Sequence, residues 1–86
     1  MIKKNLGSIL RQYREDKNLT QEKVALEANV AYRFYQDIEG GKQQPTVETL
    51  FKLCKALQLT PEAVIMPVWA LWLDEQLIDD ENEGNH

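Results

Sequence analysis

Residues 19–45 read LTQEKVALEANVAYRFYQDIEGGKQQP, and the fold turns on how this stretch is parsed. Thr20 is a good N-cap, so a helix starts there and runs to about Ala28, with Val24, Ala25 and Ala28 turned inward. Asn29 stands where a short turn wants left-handed backbone, which Asn tolerates second only to Gly. Val30 anchors the turn. The next helix is expected from about Ala31 to Glu39, with Ile38 and Tyr35 facing inward and Gly40-Gly41 ending it. Ala31 is a weak cap, so the first turn of that helix has to lean on tertiary contacts or on a bound partner. Two short amphipathic helices joined by a tight turn, with a Gly-Gly-Lys loop after them, can lay one helix across a phosphate backbone and the next in the major groove of DNA.

The flanking sequence supplies the rest of an all-α bundle. Leu6, Ile9, Leu10 and Tyr13 recur at helical spacing, with Arg11, Gln12, Arg14 and Glu15 on the other side, which predicts a first helix ending near Lys17-Asn18. Leu19 plugs the core between helices. Pro45 fixes the approach to a fourth helix capped by Thr46, and Val47, Leu50, Leu53, Cys54 and Leu57 form its expected buried face. Thr60-Pro61 opens a fifth, short helix with Pro at the favoured first position. Pro67 interrupts it, and VWALWLDEQLI (68–78) then predicts a sixth, C-terminal helix. The expected organisation is one compact domain over 1–66, an apolar helix over 67–79 and a disordered acidic tail over 80–86. There are no internal repeats and no convincing strands.

Eighty-six residues suit a single domain with a modest core, which favours a binding module over multi-step catalysis in a deep pocket. Cys54 is the only cysteine and lies on an apolar stripe, where a buried inert thiol is expected; a reducing cytoplasm fits. The first residues lack the basic, apolar, small-residue pattern of a signal sequence, so none is expected, and no apolar run approaches the ~20 residues of a membrane span. The net charge of −4 looks wrong for a DNA binder until its distribution is considered. Residues 1–60 hold all ten Lys and Arg against seven acids, a balance of +3; residues 61–86 hold seven acids and no Lys or Arg, a balance of −7. A field decays within about 8 Å at physiological salt, so an acidic tail held away from the groove costs little binding.

Two segments, LGSILRQYREDKNLTQEKVA (6–25) and QDIEGGKQQPTVETLFKLCKAL (36–57), carry a dispersed pattern that resembles the XRE, or Cro/repressor, helix-turn-helix family with its lambda-repressor-like fold. The likeness covers roughly residues 6–64. It implies a compact five-helix domain, here with an extra C-terminal helix, that binds double-stranded DNA. Gln21 resembles the glutamine that touches phosphate and braces the recognition helix. Arg14 and Glu39 resemble the pair that ties the first helix to the end of the third, a structural ion pair. Gly41, Lys42, Gln43 and Gln44 resemble the loop that meets the DNA backbone. The chain departs from the pattern at Asn29 for the turn glycine, Ala31 for a capping Ser or Thr, Tyr35 for an aliphatic residue and Gly40 for a polar one. The base-reading surface is therefore atypical.

On the third helix the exposed face is expected to carry Tyr32, Arg33, Gln36 and Asp37. Arginine can donate twice to guanine O6 and N7, glutamine can pair with adenine, and aspartate can accept from cytosine N4. Arg33 and Gln36 are the expected base readers, and Tyr32 could meet a thymine methyl or a phosphate. Asp37 is repelled by phosphates unless it finds a specific donor, and Phe34 is divided between core edge and sugar contact. Lys42 is expected on phosphate. Lys3, Lys4, Arg11, Lys17 and Lys23 are assigned no contacts, since lone surface lysines usually only solubilise.

The segment with Val68, Trp69, Leu71, Trp72 and Leu73, then Leu77 and Ile78, is more apolar than a terminal helix needs. Packing on the chain's own helices is one reading. A homodimer seam is the one favoured, because tryptophans anchor interfaces and a dimer would grip two half-sites. A docking helix for another protein is a third. His86 is the only histidine and sits at the end of the chain, and no Cys-His cluster, phosphate-cradling loop or nucleophile-base pair is visible, so no enzyme, metal or cofactor is expected. The expected function is a cytoplasmic, sequence-specific DNA-binding transcriptional regulator acting as a homodimer on a palindromic operator. The alternative is a protein-interaction module or antitoxin-type partner that keeps the fold with weak or no DNA binding. Operator, direction of regulation and effector are not legible.

Overall fold

The computed structural model describes the backbone of residues 2–84 and the side chains of residues 2–78. Five helices follow one another: α1 (Ile2–Asp16), α2 (Gln21–Ala28), α3 (Tyr32–Glu39), α4 (Val47–Ala56) and α5 (Pro61–Gly84). No strand occurs among the described residues. One core joins them, built from Leu6 and Leu10 of α1, Val24, Ala25 and Ala28 of α2, Tyr35 and Ile38 of α3, Leu50, Leu53 and Cys54 of α4, Leu57, and Val64 and Val68 of α5. Leu19, Val30 and Phe34 pack at its edge.

The termini of the helices are where local sequence acts most plainly. Thr20 and Thr46 each accept the backbone N–H three residues on, from Lys23 and Thr49, both at 3.1 Å. Each bond satisfies one of the donors a helix start leaves over. Asn29 takes the left-handed conformation at φ 56°, and Val30 N–H then closes back on the Ala25 carbonyl at 3.0 Å. Gly41 does the same after α3, at φ 75°, and the Asp37 carbonyl receives Lys42 N–H at 2.9 Å and Gln43 N–H at 3.2 Å. Asn18 and Gln58 are also left-handed, after α1 and α4. Gln58 carries no sequence signal for this, because residues other than Gly and Asn seldom adopt it.

Three expectations are corrected. First, Pro67 does not end a helix, and there is no sixth: α5 runs unbroken from Pro61 to Gly84 with Pro67 inside. Proline removes the N–H that would bond the carbonyl four residues back. That carbonyl belongs to Ala63, and the Tyr13 hydroxyl donates to it at 3.1 Å, so the polar cost of continuing the helix is met from α1. The division expected between 66 and 67 therefore falls inside one helix. Second, Val47 is 66% exposed instead of buried. It is the first residue of α4, where the apolar stripe runs past the core and borders an open groove against α5. Third, Val68, expected at a dimer seam, is buried in the domain's own core. Of the acidic tail expected over 80–86, the backbone of 80–84 completes α5; residue 85 and His86 lie outside the described residues.

Candidate nucleic-acid interface

The position of α3 is set from behind by a polar hub. Glu39, at the last turn of α3, has a side chain only 2% exposed. Arg14 of α1 grips it with two donors, Nε to Oε2 at 2.6 Å and Nη2 to Oε1 at 2.9 Å, and gives Nη1 to the Leu19 carbonyl at 2.8 Å. Gln21, the first residue of α2, donates Nε2 to Glu39 Oε1 at 3.0 Å. One carboxylate thus ties together α1, α2 and α3, and Arg14 adds the chain between α1 and α2. Burial pushes the Glu39 carboxyl upward, but the Arg14 and Gln21 donors and the nearby Tyr35 hydroxyl outweigh it and hold it below the ordinary glutamate range. Tyr35 is fully buried, and its hydroxyl lies outside hydrogen-bond geometry with any described residue. Burial first, and then the Glu39 carboxylate beside it, hold that phenol far above the usual range.

A backbone approach completes the placement. A Cβ on Gly7 would stand 2.3 Å from the Ile38 carbonyl oxygen and 2.7 Å from that of Glu39. Only glycine lets α1 lie directly on the end of α3. The sequence pattern contains this glycine, but its reason appears only once the helices are seen crossing.

With Tyr35, Ile38 and Glu39 turned inward, Tyr32, Arg33, Gln36 and Asp37 share the outer face of α3. Arg33 is the most open of them, its side chain 80% exposed, and its Nε pairs with Asp37 Oδ1 at 3.4 Å. Tyr32 is exposed, and Gln36 and Asp37 are half-buried. Phe34 is a core-edge residue. Lys42, Gln43 and Gln44 are exposed in the loop that follows, anchored to α3 through Asp37. Gln21, half-buried, faces Glu39 with its amide and so braces the helix. Ala31 caps α3 with no side-chain bond, as its chemistry requires. Apart from Gln21 at the start of α2, the residues expected to meet DNA fall on α3 and the loop beyond it. The Arg33–Asp37 pair was not foreseen, although i,i+4 spacing signals such pairs on a helix.

A short helix whose polar face points outward, held by a buried carboxylate behind it and preceded by a capped helix at a tight turn, defines a helix-turn-helix domain. The Helix-turn-helix family pattern matches residues 10–64, more than half of the chain. The chain belongs to this family, in its XRE type, a family of DNA-binding transcriptional regulators. It is 32% identical over 66 residues to an uncharacterized HTH-type transcriptional regulator, y4dJ, of Sinorhizobium fredii, covering 77% of this chain and 86% of that protein. Among solved structures it resembles the clp gene regulator ClgR of Corynebacterium glutamicum, with a TM-score of 0.78 at 25% identity, covering 100% of this chain and 95% of that one. It also resembles the restriction-modification controller protein C.AhdI of Aeromonas hydrophila, with a TM-score of 0.70 at 26% identity over 71% of this chain and 92% of that one. Among the described residues no group of side chains could hold a metal ion, and no helix is long and apolar enough to cross a membrane.

Proposed function

We propose that this chain binds double-stranded DNA sequence-specifically, as a homodimer on a two-fold symmetric operator, and regulates transcription by occupying it. The observation that carries the reading is the outer face of α3: four polar side chains, open on one side and backed by the Arg14–Glu39–Gln21 hub on the other. Arg33 and Gln36 would read base edges, and Tyr32 would meet a thymine methyl or phosphate. Lys42, Gln43 and Gln44 would hold the backbone, and Gln21 adds a backbone contact at the start of α2. The dimer rests on α5. Ile65, Met66, Trp69, Leu71, Leu73 and Leu77 are all exposed, so this helix is apolar on more than its inward side. Such a helix is normally covered. A groove of about 350 Å³ between α4 and α5, bordered by Val47, Ile65, Trp69 and Trp72, gives a second copy a place to pack. Two half-sites one helical turn apart would then be gripped together, and doubling the contacts compensates for the few basic residues on each copy.

Selection from random duplex DNA, run beside a solution-mass measurement, tests this. Enrichment of one symmetric motif by a species of twice the chain mass is expected. Absence of any enriched motif at low salt would leave a protein-interaction module that keeps the fold without the DNA function.

A further inference from the structure

On the strength of the DNA-reading role just proposed, we infer that Asp37 is a positioning residue that presents Arg33 to a guanine and keeps it off the phosphates. Asp37 holds Arg33 by its Nε at 3.4 Å. That contact occupies the side of the guanidinium nearest the chain and leaves the two terminal amino groups at the far end. An end-on pair of donors is what guanine O6 and N7 accept. The carboxylate is the deeper partner, its side chain 25% exposed against 80% for Arg33. The Asp37 carbonyl accepts from both Lys42 N–H and Gln43 N–H, which helps join the base-reading helix to the adjoining loop.

The pair has little to do for the fold. Exposed i,i+4 ion pairs contribute only a few tenths of a kcal/mol. A carboxylate on a face that approaches a polyanion is itself unfavourable. Both facts find a purpose if the carboxylate acts on the arginine. A free, fully extended guanidinium can swing to any phosphate and bind DNA without regard to sequence. Tethered by Nε, it is held toward the base edges. Asp37 thus trades non-specific affinity for guanine selectivity. The rival role, direct acceptance from cytosine N4, would need the carboxylate to reach past the arginine it is paired with.

The test uses the full chain in selections from random duplex DNA, with affinity for a fixed random duplex measured alongside across salt. Arg33→Ala should abolish a guanine preference at one position of each half-site. Asp37→Ala should lower that same preference by about five- to a hundredfold, the discrimination one good bidentate pair supplies. It should also raise affinity for random DNA. Asp37→Glu, which keeps a carboxylate within reach of Arg33, should retain more of the preference than Asp37→Ala. In the Arg33→Ala background, Asp37→Ala should change no base preference. The inference is overturned if Asp37→Ala leaves the guanine preference intact. It is also overturned if Asp37→Ala erases a cytosine preference that survives Arg33→Ala. A wild-type chain that enriches no motif at all would sink the DNA-reading role itself, an outcome distinct from both.

Discussion

The hydroxyl of Tyr13 donates to the carbonyl of Ala63 at 3.1 Å, and Ala63 is the residue whose helical donor Pro67 has removed. The two features explain each other. A tyrosine on α1 supplies the missing proton donor, and α5 continues through its proline. Tyr13→Phe should therefore destabilise the fold by about 1–3 kcal/mol, the cost of leaving a part-buried carbonyl unpaired. Restoring the N–H with Pro67→Ala should shrink that penalty to well under half. Urea unfolding of the two single variants and the double variant gives the coupling directly. Equal Tyr13→Phe costs in both backgrounds would mean that the hydroxyl does not serve the proline site.

The Glu39 hub makes stability depend on acid in a defined direction. The carboxyl is held low in the folded chain, so its contribution is complete above the unfolded carboxylate value of about 4.3 and is lost as pH falls through the folded value. Arg14→Met leaves a buried carboxylate without its main partner and should cost about 3–5 kcal/mol at pH 7. Below pH ~4.3 the gap between wild type and Arg14→Met should narrow, because the variant's Glu39 protonates easily while the wild type is losing its ion pair. Thermal melts of both proteins across pH 3–7 check this; a constant gap would place the stabilisation elsewhere.

How much of this was legible beforehand depended on whether a cause was local. Thr20, Thr46 and Asn29 act on backbone within a few residues, and all three do what their chemistry predicts. The outer face of α3 was legible because 32, 33, 36 and 37 lie opposite the inward 35 and 38 at helical spacing. Pro67 was misread because its compensation comes from Tyr13, which lies fifty residues in sequence from the Ala63 carbonyl it serves. Val47 was misread because periodicity shows where an apolar stripe runs but not where its neighbouring element stops. Gln58 in the left-handed region has no local signal at all.

Gly7 and Gly40 separate a packing requirement from a conformational one. At Gly7 an added Cβ meets two backbone carbonyls, which cannot turn aside, so α1 and α3 would have to move apart. Gly7→Ala should cost about 1–3 kcal/mol, outweighing the better helix propensity of alanine. Gly40 has ordinary right-handed backbone at φ −77°, and its nearest neighbour would be 3.3 Å away. Gly40→Ala should be neutral within about 0.5 kcal/mol. Denaturant midpoints of the pair decide it, and equal costs would refute the close-approach account.

Lys42 offers a contrast to Arg33 within the same surface. It stands in the loop, its backbone tied to Asp37 and its side chain exposed, and a lysine there acts as a point charge toward phosphate. Lys42→Ala should weaken binding to every sequence alike and reduce the slope of log affinity against log salt by about one. Base preferences should not change. Fluorescence anisotropy with an operator and a random duplex, across salt, reads both quantities; a selective loss on the operator alone would make Lys42 a base reader.

The most discriminating variant for the dimer lies outside the tryptophan segment. Trp69 and Trp72 stack at 5.4 Å between ring centroids and 19° between planes, and both line the α4/α5 groove together with Val47. Val47→Glu alters a side chain that is 66% exposed in the single chain, so the fold should be unaffected, with unchanged helicity and a melting temperature within a few degrees. Placed in a seam, the same charge would be buried without a partner, which is strongly unfavourable. The expected result is a chain of monomer mass that has lost roughly a hundredfold or more in operator affinity, the share supplied by binding two half-sites together. Analytical ultracentrifugation and an operator titration measure the two effects on one sample. A Val47→Glu protein that keeps twice the chain mass would move the seam off this groove to another stretch of α5, where Leu73 and Leu77 are also exposed.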